Sequence, residues 1–182
     1  MVVVDLGFCP QCGNVLEECE PPGGHRSCCS VCGNVVYNNP FPVVVATVVD
    51  GNGALFVKRA RAPEKGCWSM PGGYLEVNES PQHGAARELA EETGLEVDPD
   101  DLTFVGTIYE QLAADRSVVD IVFAIPRTKT LSEPVAGDDA ADVRYWSREE
   151  IADNPPELRA GDVTPILRAI DTIGKAEDAP LW

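Results

Sequence analysis

Residues 73–95 read GYLEVNESPQHGAARELAEETGL. Ser80 suits an N-cap, and Pro81 suits the first helical position, where its missing N–H costs nothing. Ala85, Ala86, Leu89 and Ala90 supply helix formers and a small apolar side. Gly94 is placed to stop the helix as its C′ residue. On that helix Glu88, Glu91 and Glu92 stand at i, i+3 and i+4, so three carboxylates share one face. Like-charge neighbours of this kind cost about 0.2–0.5 kcal/mol each when nothing compensates them. Between Ser80 and Thr93 the only full cation is Arg87, besides His83. A divalent cation such as Mg2+ resolves the conflict, because it takes oxygen ligands from a few carboxylates and from substrate phosphates. Upstream, Pro71-Gly72-Gly73 lets the backbone turn sharply and approach a ligand closely.

Gly73, Glu79, Arg87, Glu88, Leu89, Glu91, Glu92, Gly94 and Leu95 fill every fixed position of the pattern G-x5-E-x7-R-E-U-x-E-E-x-G-U, where U is bulky and apolar. The segment resembles the Nudix box of the Nudix hydrolase family. That resemblance implies hydrolysis of a nucleoside diphosphate linked to another group, with Mg2+ or Mn2+ as cofactor. It implies Glu88, Glu91, Glu92 and the Gly73 carbonyl as metal ligands. Arg87 would pair with a box glutamate, Glu79 first, and fix the ligands' rotamers. Many Nudix enzymes use a further acid beyond the box to bind metal or activate water. In Gly137-Asp138-Asp139-Ala140-Ala141-Asp142-Val143-Arg144-Tyr145-Trp146 the first choice for that role is Asp139 and the second Asp138, with Glu110 and Asp120 as alternatives.

Nearer the N-terminus, Cys9-Pro10-Gln11-Cys12-Gly13 and Cys29-Ser30-Val31-Cys32-Gly33 are two C-x2-C knuckles separated by sixteen residues. That spacing fits the paired-knuckle zinc pattern. Four thiolates make a closed, structural Zn2+ site rather than a catalytic one. A segment of about 40 residues has too little core to fold alone, and a metal supplies the missing fastening. A redox dithiol would carry one such motif in a βαβ setting, and structural disulfides are not expected, since nothing implies export. Cys28 could replace Cys29 in a poorer C-x3-C knuckle. Cys19, Cys28 and Cys67 are otherwise expected to be unliganded. Between the knuckles, residues 17–24 read as an exposed hairpin or loop. This half resembles the zinc ribbon that precedes the Nudix domain in NADH pyrophosphatases and ADP-ribose pyrophosphatase relatives, as does the exit Tyr37-Asn38-Asn39-Pro40.

The 182 residues include 30 acids against 14 bases, a net charge of −16. A field of that sign repels nucleic acid and anionic membranes. It also repels nucleotides, which makes a bound cation more necessary. Residues 1–40 hold one Arg and no Lys, which disfavours nucleic-acid binding by the ribbon. Acid excess with few lysines resembles proteins of salt-rich cytoplasm, a halophilic-like composition. No apolar run approaches a membrane span. The start Met-Val-Val-Val-Asp lacks the basic and long apolar regions of a leader, so a cytoplasmic location is expected.

The remaining pattern predicts a strand over residues 42–49, a turn at Asp50-Gly51-Asn52-Gly53, and a second strand over 54–59. Further strands are expected at 103–109, 118–126 and 144–146. A helix should start at Ser147, and a last helix should be capped by Thr164-Pro165, with Ile166, Leu167, Ile170 and Ile173 on its apolar face. The expected fold class is α/β, and the resemblance supplies a Nudix α/β/α sandwich with a mixed sheet. The expected organisation is a zinc ribbon over 1–38, a Nudix hydrolase domain over 39–175 and a C-terminal tail over 176–182. The signature S-Q-P-W-P-F-P-x-S of NADH pyrophosphatases is absent; residues 108–115 read IYEQLAAD instead. ADP-ribose is therefore the first expectation, with NADH or FAD as related dinucleotides. A nucleoside triphosphate pyrophosphohydrolase and a non-catalytic nucleotide sensor are the rival readings. Tyr109 and Trp68 are read as core or lining residues that could stack on a base, and Arg59 and Arg61 as strand-edge charges that could meet phosphate. The resemblance also allows a homodimer.

Overall fold

The computed structural model describes residues 7–21, 24, 26–113, 116–153 and 155–177. The chain divides into two compact units, Met1–Phe41 with Tyr109–Val118, and Pro42–Ile108 with Val119–Trp182.

In the first unit, β1 (Glu17–Cys19), β2 (Arg26–Cys28) and β3 (Val35–Val36) form a three-stranded antiparallel sheet in that order. One knuckle precedes β1, the other joins β2 to β3, and the two repeat one geometry. The Cys9 N–H donates to the Asn14 carbonyl (2.7 Å) and the Gly13 N–H to the Cys9 carbonyl (2.8 Å). The Cys29 N–H donates to the Asn34 carbonyl (2.8 Å) and the Gly33 N–H to the Cys29 carbonyl (2.9 Å). Cys19 and Cys28 are joined by a disulfide, with Cα atoms 5.9 Å apart. This corrects the expectation that both would be free of cross-links. The residues lie on adjacent antiparallel strands, where side chains on one face meet, a proximity that spacing along the chain does not reveal.

In the second unit, β4 (Phe41–Asp50) and β5 (Gly53–Arg59) are a hairpin, followed by the short strands β6 (Trp68–Ser69) and β7 (Gly72–Tyr74). Helix α1 (Pro81–Thr93) follows, then β8 (Thr103–Ala113) and β9 (Arg116–Pro126), whose residues 109–113 and 116–118 count with the first unit, and β10 (Ala140–Ser147), α2 (Arg148–Ala152) and α3 (Val163–Glu177). The central order is β10-β5-β4-β9-β8, with β6 paired to β5 and β7 to β4. Strand residues point alternately to the two faces, so the apolar run of β4 covers both. Val44, Ala46 and Val48 pack with Leu55, Phe123 and Ile125 against Ala85, Ala86 and Leu89 of α1. Val45 and Val49 pack with Phe56, Trp68 and Trp146 against Ile166, Ala169, Ile170 and Ile173 of α3. A sheet covered on both faces is why β4 reads as a nearly continuous apolar string. Helices therefore cover a mixed sheet, as the α/β expectation required.

Strand and helix ends differ from expectation in instructive ways. β8 and β9 extend beyond the apolar run into polar residues. Ser147 caps α2 through a capping box, its hydroxyl accepting from the Glu150 N–H (3.2 Å) while the Glu150 carboxylate accepts from the Ser147 N–H (2.8 Å). Thr164 and Pro165 lie inside the first turn of α3 rather than ahead of it, because Val163 already continues from a short 3-10 turn. The helix runs on to Glu177, past the point where a tail was expected to begin.

Candidate active site

Helix α1 is built as its sequence prescribes. The Ser80 hydroxyl accepts from the His83 N–H (3.3 Å), Pro81 opens the first turn, and Gly94 ends it at φ 67° with its N–H on the Ala90 carbonyl (2.8 Å). Its apolar side, Ala85, Ala86 and Leu89, is buried against the sheet, which turns the carboxylate face toward β7. There β7 and α1 meet so closely that a Cβ on Gly73 would stand 2.6 Å from the Glu88 Cδ. A side chain at 73 would displace the Glu88 carboxylate, and glycine leaves the Gly73 backbone against it.

Arg87 organises the acidic face. Its Nε and Nη2 donate to the two oxygens of Glu79 at 3.2 and 2.8 Å, a bidentate pair. Nη1 donates to Glu88 (2.8 Å) and Glu91 (3.2 Å), and Nη2 also reaches the Tyr74 carbonyl (3.2 Å). All five N–H donors are thereby used. Glu79 is further held by the Glu76 N–H (2.7 Å). The Arg87 fork holds the Glu79 carboxyl below its ordinary range, and these carboxylates raise Arg87 in turn.

Glu88 and Glu92 behave differently. Burial pushes both carboxyls up, Glu92 to about 8. The Gly72 N–H donates to Glu92 (2.9 Å) and opposes this rise, while hydrogen bonding and charge from Asp139 and the charge of Glu88 add to it. For Glu88, Arg87 opposes the rise, and Glu91 and Asp139 add to it. Three acids, Glu88, Glu92 and Asp139, are thus crowded together beyond what one guanidinium neutralises.

Asp139 arrives from 47 residues beyond Glu92 on a loop clipped to the end of α1. The Val135 N–H donates to the Thr93 carbonyl (2.8 Å) and the Gly137 N–H to the Glu92 carbonyl (3.0 Å). A Cβ on Gly137 would meet the Glu91 carbonyl oxygen at 2.5 Å, so this docking needs glycine. On the far side, the Asp139 carbonyl accepts from the Ala60 N–H (2.8 Å). Asp138 turns away at φ 44° and stands 3.9 Å from Arg61 on the surface. Of the other candidates, Asp120 is buried within β9, and Glu110 belongs to the other compact unit. Trp68 is buried edge-on against Trp146 (ring centroids 5.8 Å) and cannot stack on a base. Tyr109 is exposed in the first unit, its hydroxyl donating to Gln111 (2.6 Å).

The residues gathered here fit a hard cation: clustered carboxylate oxygens beside an accessible backbone, with too little positive charge of their own. Sequence reasoning missed the backbone donors Gly72, Val135 and Gly137. Gly137 was visible as a glycine before two aspartates, but nothing local says that it docks on a helix end.

In the ribbon, Cys9, Cys12, Cys29 and Cys32 bring their sulfurs within 4.8 Å of one another. The closer pairs, Cys9–Cys32, Cys12–Cys29 and Cys12–Cys32, are 3.5–3.6 Å apart. A tetrahedron of sulfurs at about 2.3 Å from zinc has edges near 3.8 Å, so the donor set fits. The Asn14 amide donates to Cys12 Sγ (3.4 Å) and with its backbone lowers that thiol to about 6, while burial and the neighbouring sulfurs push Cys32 up, a crowding of thiolates that a metal would relieve. Cys29, not Cys28, joins the cluster; Cys28 is held by Cys19.

Residues 39–168 match the family model of the NUDIX domain. A "MutT-like protein" of Streptomyces ambofaciens is 33% identical over 135 residues, covering 72% of this chain and 77% of that protein. An "ADP-ribose pyrophosphatase" of Methanocaldococcus jannaschii is 33% identical over 113 residues, 61% of this chain and 64% of its own length. A crystal structure of a NUDIX hydrolase from Nitrosomonas europaea matches with a TM-score of 0.71 at 28% identity, covering 97% of this chain and 96% of that one. The box, the fold that presents it and these matches agree: the chain belongs to the NUDIX hydrolase family.

Proposed function

We propose that this chain hydrolyses the diphosphate of a nucleoside diphosphate linked to another group, with Mg2+ or Mn2+ held by Glu88, Glu91, Glu92 and the Gly73 carbonyl. The observation that carries this reading is the meeting of Asp139 with Glu92 and Glu88, three acids from two distant segments, two of them with raised carboxyls. A metal bound there supplies charge neutralisation at the diphosphate and lowers the pKa of water. The chain's own residues do the rest. Arg87 fixes the rotamers of Glu88 and Glu91 and is itself anchored by Glu79 and the Tyr74 carbonyl. Gly72 orients Glu92. Asp139 is assigned as the acid that takes the proton of the attacking water. Its shorter side chain reaches Glu92 because the loop is clipped at both Gly137 and Ala60.

ADP-ribose is the first substrate in this proposal, supported by the absence of the NADH pyrophosphatase signature and by the similarity to a protein named ADP-ribose pyrophosphatase. The ribbon, residues 1–38, is assigned one structural Zn2+ on Cys9, Cys12, Cys29 and Cys32, ahead of the hydrolase domain at 39–175. The test is a panel of ADP-ribose, NADH, FAD, diadenosine tetraphosphate and nucleoside triphosphates with Mg2+, read by product chromatography. AMP plus ribose phosphate from ADP-ribose is the expected result. Cleavage of triphosphates alone would favour the pyrophosphohydrolase reading, and no turnover of any would sink the enzyme reading.

A further inference from the structure

Beside the acidic site lies its electrostatic opposite. A hollow of about 400 Å3 is lined by Lys58, Arg59, Ala60, Lys65, Gly66, Ala141 and Asp142. Two of the four lysines of the chain are here, in a protein with 30 acids and 14 bases. Among the described residues Arg61, Arg87, Arg127, Lys129, Arg144, Arg148 and Arg159 all stand against carboxylates. Among the described residues, Lys58, Arg59 and Lys65 stand in no such ion pair. Lys58 Nζ lies 5.7 Å from the Trp68 ring centroid, and Arg59 spends its Nε on the Pro63 carbonyl (3.0 Å).

The carboxylates that could quench the hollow are engaged elsewhere. Glu64, on the same loop, pairs with Arg159 at 3.2 Å. Asp138 faces Arg61. Asp142 alone contributes a carboxylate to the lining, and one of its oxygens accepts from the Val143 N–H (2.9 Å). The loop that closes the hollow is fixed by the Gly66 N–H on the Arg59 carbonyl (2.8 Å) and the Arg59 N–H on the Cys67 carbonyl (2.9 Å). The hollow also adjoins the reaction site, since Ala60 in its wall donates to the Asp139 carbonyl (2.8 Å).

We infer that this hollow receives a further phosphate of the substrate, beyond the diphosphate at the carboxylate site. This rests on the proposed function and narrows it: the preferred substrates are nucleoside diphosphate derivatives that carry another phosphate. Three cations against one carboxylate form a positive island in a strongly negative field, which draws an anion to that spot and not to the surface around it. Lysine ammonium groups serve as point charges for phosphate, and the concave wall removes part of its hydration. The acidic cluster would repel the same group until a divalent cation occupies it, so the two halves of the site act on one polyanion together.

The experiment compares ADP-ribose with ADP-ribose 2′-phosphate, and diadenosine diphosphate with diadenosine tetraphosphate. Binding is measured by calorimetry with Ca2+, and hydrolysis with Mg2+. For at least one pair, the member with more phosphate should bind tenfold or more tightly, and the Lys58→Gln/Lys65→Gln protein should lose most of that ratio. Lys175→Gln, on the last helix, should keep it. Equal affinity within each pair, or a ratio unchanged in the double variant, overturns the inference. Binding with the expected ratio but without hydrolysis would instead count against the enzyme reading and leave the hollow's assignment standing.

Discussion

Replacing Arg87 by alanine should cost the second unit about 1.5–3 kcal/mol, and the structure says why. The guanidinium makes five hydrogen bonds, four of them to carboxylates. The side chains of Glu79 and Glu88 are only 16% and 14% exposed, so their charges cannot fall back on full hydration. Arg87 is itself 25% exposed, so the loss is that of charged, partly buried hydrogen bonds, about 1.5–3 kcal/mol, and not that of a fully buried pair. Glu91, 46% exposed, adds no more than the roughly 0.2–0.5 kcal/mol of a surface helix pair. Arg87→Lys restores a charge but not the fork, so it should recover less than half of the loss. For a unit of this size each kcal/mol moves Tm by about 2–4 °C, which gives a drop of roughly 3–12 °C for Arg87→Ala. Trp68 and Trp146 are buried in the core and report unfolding by fluorescence. The measurement is urea unfolding without added divalent cation, repeated with Mg2+. Mg2+ should stabilise the alanine variant more than the wild type, because it replaces positive charge beside Glu88 and Glu91. A loss below about 1 kcal/mol, or equal losses for alanine and lysine, would refute the reading of Arg87 as the clamp of this face.

The same pair gives a pH dependence. Glu79 is held below its ordinary range by Arg87, so its contribution is complete above its unfolded value and is lost as pH falls through the folded one; the wild type's advantage over Arg87→Ala should shrink below about pH 4, and an advantage independent of pH would contradict it. Glu91→Gln should lower turnover by several orders of magnitude while the unfolding curve survives. Asp139→Asn should cut kcat at least a hundredfold and Asp138→Asn less than threefold; the reverse order would move the base assignment to the surface residue. Metal analysis should find one zinc per chain, lost in Cys32→Ser and retained in a Cys19→Ser/Cys28→Ser double variant; loss in both would place the disulfide pair within the metal site. Unfolding in rising KCl should show stability increasing as the −16 charge is screened, and insensitivity to salt would remove the halophilic reading of the composition.

The box was legible because its information is local. A helix of period 3.6 turns the offsets between Glu88, Glu91 and Glu92 directly into a shared face, and the cap residues on either side say where that helix begins and ends. The knuckles were legible for the same reason: C-x2-C followed by glycine sets each turn without reference to anything distant. The alternation of β4 between two cores was written in its apolar run, though which helix covers each face was not.

Tertiary structure decided what depends on separate segments meeting. Asp138 and Asp139 are alike in sequence, and only the docking of Gly137 on the end of α1 turns one toward Glu92 and the other toward Arg61. Cys19 and Cys28 became partners through strand pairing, not spacing. Arg59 read as a strand-edge charge, and only the β10 register and the loop before Trp68 bring it together with Lys58 and Lys65 around a hollow. Local periodicity and capping fix which chemistry the helix can carry. Long-range hydrogen bonds, whose loop-closure entropy no sequence window records, fix which other residues stand beside it.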